Sequence, residues 1–315
     1  MKPIRVRLFD LFDVLVVSDA DQIQWLNQHE HVTRPIDPAR SALHRFIDRR
    51  LREDLGFQGD VLPVFKPKAD PHRAARQKLL DDQLQGLRGQ PGDERDRIAD
   101  YVSGHNTVAE IGPVVQQWCG QLFFGRYKST AETYEAGKLL SGWPSAPPWK
   151  TWKDRLTGKL ERAKALLATA AEGDLHCVHA TSIGMENVAR TVRNLRKAAA
   201  NSEKQLLSPD DILRQCLAVP PVVLRGCSAE VSPPFLDRPL SPRSLIVFLV
   251  GRAYATSGDL DVAFLADSWS ACPARRVIPE MLRSVWHAAH HDEAEAKRLM
   301  STINSWSRLW HRAVS

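Results

Sequence analysis

The sequence predicts a mainly α protein with a small β component, on three observations. Apolar residues recur at three- and four-residue spacing along most of the chain, most clearly at Met185, Val188, Val192 and Leu195, the stripe of an amphipathic helix. One segment, 221–265, changes texture: "PVVLRG", "SLIVFLVGRAY" and "DVAFLA" are short apolar runs between proline-rich turns, the pattern of strands. Breaks at Gly86, Gly89, Pro91 and Gly92, and in "SGWPSAPPW" (141–149), interrupt helices without supplying a linker, so a single domain is expected.

Taken in order, Val14, Leu15, Val16 and Val17 read as a buried strand, and Ser18 as the N-cap of a helix carrying Ile23, Trp25 and Leu26. Helical patterns follow at about 39–55, 71–85, 95–103 and 106–123. Residues 150–171 read as one charged amphipathic helix, and the longer helix bearing Met185 comes next. "SPDD" at 208–211 supplies a cap, a first-turn proline and acids facing the helix dipole. The chain divides into a helix-rich part (1–215), a small sheet with a cysteine loop (216–272) and C-terminal helices (273–315).

Hydrophobic content of 43% and charged content of 25% suit a globular protein with an ample core. The net charge is +6, but Lys and Arg are interleaved with acids, as in "GDERDR", which leaves no nucleic-acid footprint. The five cysteines are odd in number, widely spaced and without a CxxC pair, against a disulfide framework or a structural zinc site. Asp10 and Asp13 interrupt the apolar start that a signal peptide needs, and no run approaches the length of a membrane span. A cytoplasmic protein with no nucleic-acid and no membrane partner is expected.

The chemistry centres on "DSWSACPARRVIPEML" (267–282). Pro273 suits a first helical position, so Cys272 stands at a helix N-terminus, where N–H groups and the dipole favour a thiolate able to ligate iron. The ordinary alternative is a packed thiol. His72 and Arg76 lie four apart on one helical face and could grip one anion. Asp211 and Arg214 are one turn apart, and Arg225 follows Pro220 and Pro221 on an extended segment. Each also has a plain reading: solvated helix charges, a surface pair, a snorkelling arginine. His287, His290 and His291 read as a solvated helix end, and no nucleophile elbow or phosphate-binding loop occurs.

In this order the features resemble the cytochrome P-450 family of haem-thiolate monooxygenases. "VLVVSDADQIQWLNQHEHVTRP" is similar to the family's first strand and following helix, and "ATSIGMENVARTVRNLRKAAANSE" to its long distal helix. Asp211 and Arg214 stand where the family has Glu-x-x-Arg. "VPPVVLRGCSAEV" is similar to the strand whose arginine reaches a haem propionate. The resemblance implies a shortened P-450-like fold and haem b as cofactor, with Cys272 as axial ligand. It places His72, Arg76 and Arg225 on propionates, and Thr181, Ser182 and Gly184 in the distal pocket. It further implies a small lipophilic substrate and a ferredoxin or reductase as redox partner.

The sequence departs from that pattern at specific points. Asp267 replaces the first glycine of the cysteine loop, Ala274 replaces the second, and one extra residue precedes the cysteine. The meander before the loop is cut to "TSGDLD", and the distal helix shows no acid–alcohol pair. Peroxide-dependent or otherwise altered chemistry is therefore the variant expected. The alternative is a haem-free P-450-like scaffold that binds or activates a tailoring enzyme such as a glycosyltransferase.

Overall fold

The computed structural model describes residues 2–8, 12–34, 41–57, 60–62, 78, 93–105, 110–143, 146–201, 207–266 and 270–290. The strands are β1 (Ile4–Leu8), β2 (Phe12–Val17), β3 (Val32–Thr33), β4 (Gly56–Phe57), β5 (Asp60–Val61), β6 (Val223–Cys227) and β7 (Ser244–Phe248). Five of them form one sheet in the order β1-β2-β7-β6-β3, while β4 and β5 make a separate ribbon. Strand β2 runs parallel to β7, with Leu15 opposite Ile246, and the other pairs are antiparallel. The sheet thus joins the start of the chain to its last third, and its inner face buries Leu15, Val17, Ile246 and Phe248 completely.

The helices are α1 (Ala20–Gln28), α2 (Ala42–Leu55), α3 (Asp93–Ser103), α4 (Gly112–Gln121), α5 (Ala131–Gly142), α6 (Pro148–Leu156), α7 (Lys159–Ala170), α8 (Leu175–His179), α9 (Met185–Ala199), α10 (Pro209–Cys216), α11 (Val250–Ser257) and α12 (Leu260–Phe264). A last helix, α13, occupies 278–290. The fold class is as predicted: mainly helical with a small sheet. The apolar stripe of α9 lies at the centre, with Met185, Val192 and Leu195 fully buried among residues of α3, α4, α10 and α13.

Several elements differ from their sequence reading, each for a local reason. Asp19 rather than Ser18 caps α1, accepting the Gln22 N–H. Helix α4 starts only at Gly112, with Pro113 in its first turn. The single helix expected over 150–171 is two, because Gly158 takes a left-handed φ of +63°, a conformation that suits glycine. "GRAY" and the "DVAF" of "DVAFLA", expected within strands, belong to α11 and α12. Asp259 caps α12 through the Asp261 N–H, and a short apolar run does not by itself distinguish a strand from a buried helix. Helix α5 was not anticipated, although Thr130 and Thr133 close a reciprocal capping box at its start. The pattern at 71–85 lies outside the described residues apart from Lys78.

Between α8 and α9 the helix widens into one π-helical turn, Ala180–Gly184, a local feature often found at functional sites. A buried amide holds it. Gln116 Nε2 donates to the Thr181 carbonyl at 2.8 Å and to the Thr133 carbonyl at 2.8 Å, while its oxygen accepts the Thr133 hydroxyl at 3.1 Å. Gly137 of α5 permits the approach, since a Cβ there would stand 2.6 Å from the Thr181 oxygen.

Candidate functional site

The π-turn forms one wall of a cavity of about 210 Å³. Ala180, Gly184, Asn187 and Val188 line it from the widened helix, and Leu122 and Phe123 from beyond the end of α4. The segment 217–220 and the stretch Ala263–Leu265 close other sides, and Ser270, Cys272, Ala274, Val277 and Ile278 supply the wall around the cysteine. Most of the lining is hydrocarbon. The polar exceptions include His176, His179, Ser270 and Cys272.

The loop that delivers Cys272 is closed by a backbone hydrogen bond, Cys272 N–H to the Phe264 carbonyl at 2.8 Å. A 3₁₀ turn, Pro273–Arg276, follows directly, and α13 begins only at residue 278. The helix dipole is thus further from the sulfur than the sequence implied. Burial pushes the thiol up from its ordinary value, opposed by the nearby Ala274 N–H dipole and by the positive charge of Arg34. Without a metal, Cys272 is a thiol, contrary to the thiolate expected from the dipole. A coordinated metal ion reverses that preference outright.

The other expected site residues fall in different places. Gly184 lines the cavity with Cys272. Thr181 and Ser182 are fully buried, and their hydroxyls donate back along the helix, to the Cys177 carbonyl at 2.8 Å and the Val178 carbonyl at 2.6 Å. That i to i−4 bonding is a common choice for helical Ser and Thr, and neither residue is on the cavity wall. Arg225 is buried beside the site. Its guanidinium donates to Asn27 Oδ1 at 3.0 Å, the Leu224 carbonyl at 2.9 Å and Ser270 Oγ at 2.8 Å. His72 and Arg76 lie outside the described residues. Asp211 and Arg214 approach to 3.7 Å with more than half of each side chain exposed, a surface pair of small energetic weight.

Sequence reasoning missed His176 and His179. They stand one turn apart just before the small residues of the π-turn, and that spacing in "LHCVHATSIG" was the available signal. His176 stacks on Phe123 with ring centroids 6.3 Å apart. Burial first, then the neighbouring His176 and Arg34, lower the pKa of His179 to about 3. His179 and Cys272 keep part of their surface open to the cavity, yet the protein surrounds them densely enough for burial to govern their protonation.

This carries a prediction for stability. Unfolded, His179 would titrate near 6.5, so the unfolded chain takes up the proton first. Its contribution is complete above about pH 6.5 and is lost as the pH falls towards 3. Between pH 6 and pH 4 the slope from this one group is at most about 1.4 kcal/mol per pH unit. Urea unfolding across that range should show it, and His179→Phe should flatten it. An unchanged slope in the variant assigns the acid sensitivity elsewhere.

No family model matches the chain, and no curated protein matches it either. Solved structures do. The cytochrome P-450 RauA, complexed with a biosynthetic intermediate of aurachin RE, superposes with a TM-score of 0.54 at 14% identity, covering 87% of this chain and 83% of that one. The cytochrome P-450 enzyme CxnD, described for C–S bond formation in chuangxinmycin biosynthesis, gives 0.53 at 11% identity over 88% and 79%. CalO2 gives 0.51 at 16% identity over 87% and 82%. The likeness extends over most of each chain and rests on architecture rather than residue identity. The chain has a cytochrome P-450-type fold in shortened form.

Proposed function

We propose that the protein is a haem-thiolate oxidoreductase of the cytochrome P-450 type that acts on a small lipophilic molecule. One observation carries the reading: Cys272 shares an apolar cavity with the small residues Ala180 and Gly184 of a π-widened helix. The donor chemistry suits haem iron, since Cys272 puts a soft sulfur on an otherwise mostly hydrocarbon wall. Haem b, when bound, supplies the redox chemistry, with electrons from a ferredoxin or reductase.

The chain's own residues set the rest. Cys272 would hold the iron, and the hydrocarbon walls exclude water and favour a lipophilic substrate. Gly184, without a side chain, would leave room on the cavity wall for the cofactor or substrate. His72 and Arg76 are the positions proposed for the propionates, and Arg225 could serve there only by exchanging bonds it already makes. The hydroxyls of Thr181 and Ser182 are engaged by carbonyls, so a conventional alcohol relay has no donor from them. That favours a peroxide-dependent or altered reaction.

Two observations favour the haem-free scaffold as the second reading. The donors of Arg225 are met by protein atoms. The cavity, at about 210 Å³, is below the roughly 300–1,000 Å³ of ordinary small-molecule pockets, so a macrocycle would have to part its walls. The test is spectroscopic. Protein produced with haem precursor is expected to be red and, reduced under carbon monoxide, to give the Soret band of thiolate-ligated haem. A colourless protein overturns the enzyme reading and leaves the scaffold, which co-purification with a tailoring enzyme would then support.

A further inference from the structure

We propose that the face formed by α2 and α6 is a docking surface for an anionic lipid bilayer. Helix α6 is built inside out. Trp149, Trp152 and Leu156, at positions i, i+3 and i+7, are 73%, 64% and 66% exposed, whereas Thr151 and Asp154 on the opposite side are buried. Phe46 of α2, 63% exposed, joins Trp149 and Trp152 along an open groove of about 710 Å³ that Arg49, Arg50 and Arg155 also line. The orientation has a local cause: Thr151 accepts a hydrogen bond from Arg50 at 2.9 Å, which turns the polar side of α6 onto α2.

Such a cluster of large apolar side chains is unusual on a soluble surface and marks an interaction site. Its charge indicates the partner. Lys150 and Lys153 flank the indoles and form no ion pair among the described residues, while Arg49 and Arg155 share the single carboxylate of Glu53. Indoles flanked by cations match the chemistry of a bilayer boundary: rings settle at headgroup level, lysine stems extend over them, and anionic lipid attracts the charges. Rings that project this far suit a deformable apolar medium better than a rigid partner, whose receiving pockets would have to be preformed. No helix among the described residues is long and apolar enough to cross a membrane, so the contact proposed is peripheral.

The experiment is sedimentation of the full-length protein with vesicles of phosphatidylcholine alone or mixed with phosphatidylglycerol. Pelleting is expected with the mixed vesicles, at least about tenfold weaker with phosphatidylcholine alone, and falling as salt is raised. Trp149→Ser with Trp152→Ser, and separately Lys150→Glu with Lys153→Glu, should each weaken it at least about tenfold. Because these side chains are exposed, the helical signal should be unchanged. Absence of pelleting with mixed vesicles overturns the proposal, as does pelleting that both double variants retain. A dimer in size-exclusion chromatography that the tryptophan variant dissolves would assign the face to a second copy of the chain and likewise overturn it.

Discussion

Replacing Cys272 by serine is expected to abolish the haem-thiolate Soret band of the haem-loaded protein completely while leaving its far-ultraviolet helical signal unchanged. The exchange removes the soft, ionisable ligand and little else. A serine hydroxyl is too weak an acid to replace a thiolate on iron. The loop keeps its own closure, since the bond from the residue 272 N–H to the Phe264 carbonyl is backbone to backbone. The comparison is made on carbon monoxide difference spectra of both proteins, matched for circular dichroism. If the variant keeps a haem band, another group binds the iron, and His176 and His179 on the same cavity wall are the first to substitute. The result then separates a haem protein with a different ligand from one with no haem at all.

Arg225→Met is expected to destabilise the protein by about 2–4 kcal/mol, whether or not haem is bound. The side chain is 2% exposed and ties three places together: α1 through Asn27, its own strand through Leu224, and the cysteine loop through Ser270. Methionine fills the volume of the stem but donates nothing. Asn27 Oδ1 keeps the Ser270 hydroxyl at 3.1 Å, while the Leu224 carbonyl loses the guanidinium donor. Urea midpoints with an unchanged m-value measure the effect. Unaltered stability would show that relief from burying the guanidinium offsets the lost bonds. A loss confined to haem retention, with the apoprotein unaffected, would restore the propionate role that the sequence implied.

Much of the architecture is legible from neighbouring residues. The cap of α10 at Ser208 is where "SPDD" puts it, the apolar stripe of α9 is as its spacing implies, and Val14–Val17 do lie in a strand, though of these only Leu15 and Val17 are buried. Strand β1 was not expected, although Ile4, Val6 and Leu8 alternate with Arg5 and Arg7, and its edge position leaves the apolar side exposed. The site was legible only in outline. Cys272 and Gly184 line one cavity. Thr181 and Ser182 do not join them, because a helical hydroxyl finds an acceptor four residues back at little cost, and no sequence pattern shows whether it will.

The sequence by itself determined the helical class, the order of the elements, several helix ends and the position of a cysteine before a proline-led turn. These depend on backbone preference and on contacts a few residues away, which local composition records. Tertiary structure decided the protonation of Cys272 and His179, the partners of Arg225 and the outward face of α6. Those outcomes depend on burial and on donors far along the chain, such as Asn27 for Arg225 and Arg50 for Thr151. Folding brings such groups together, and their pairing is settled by which buried polar atom can be satisfied.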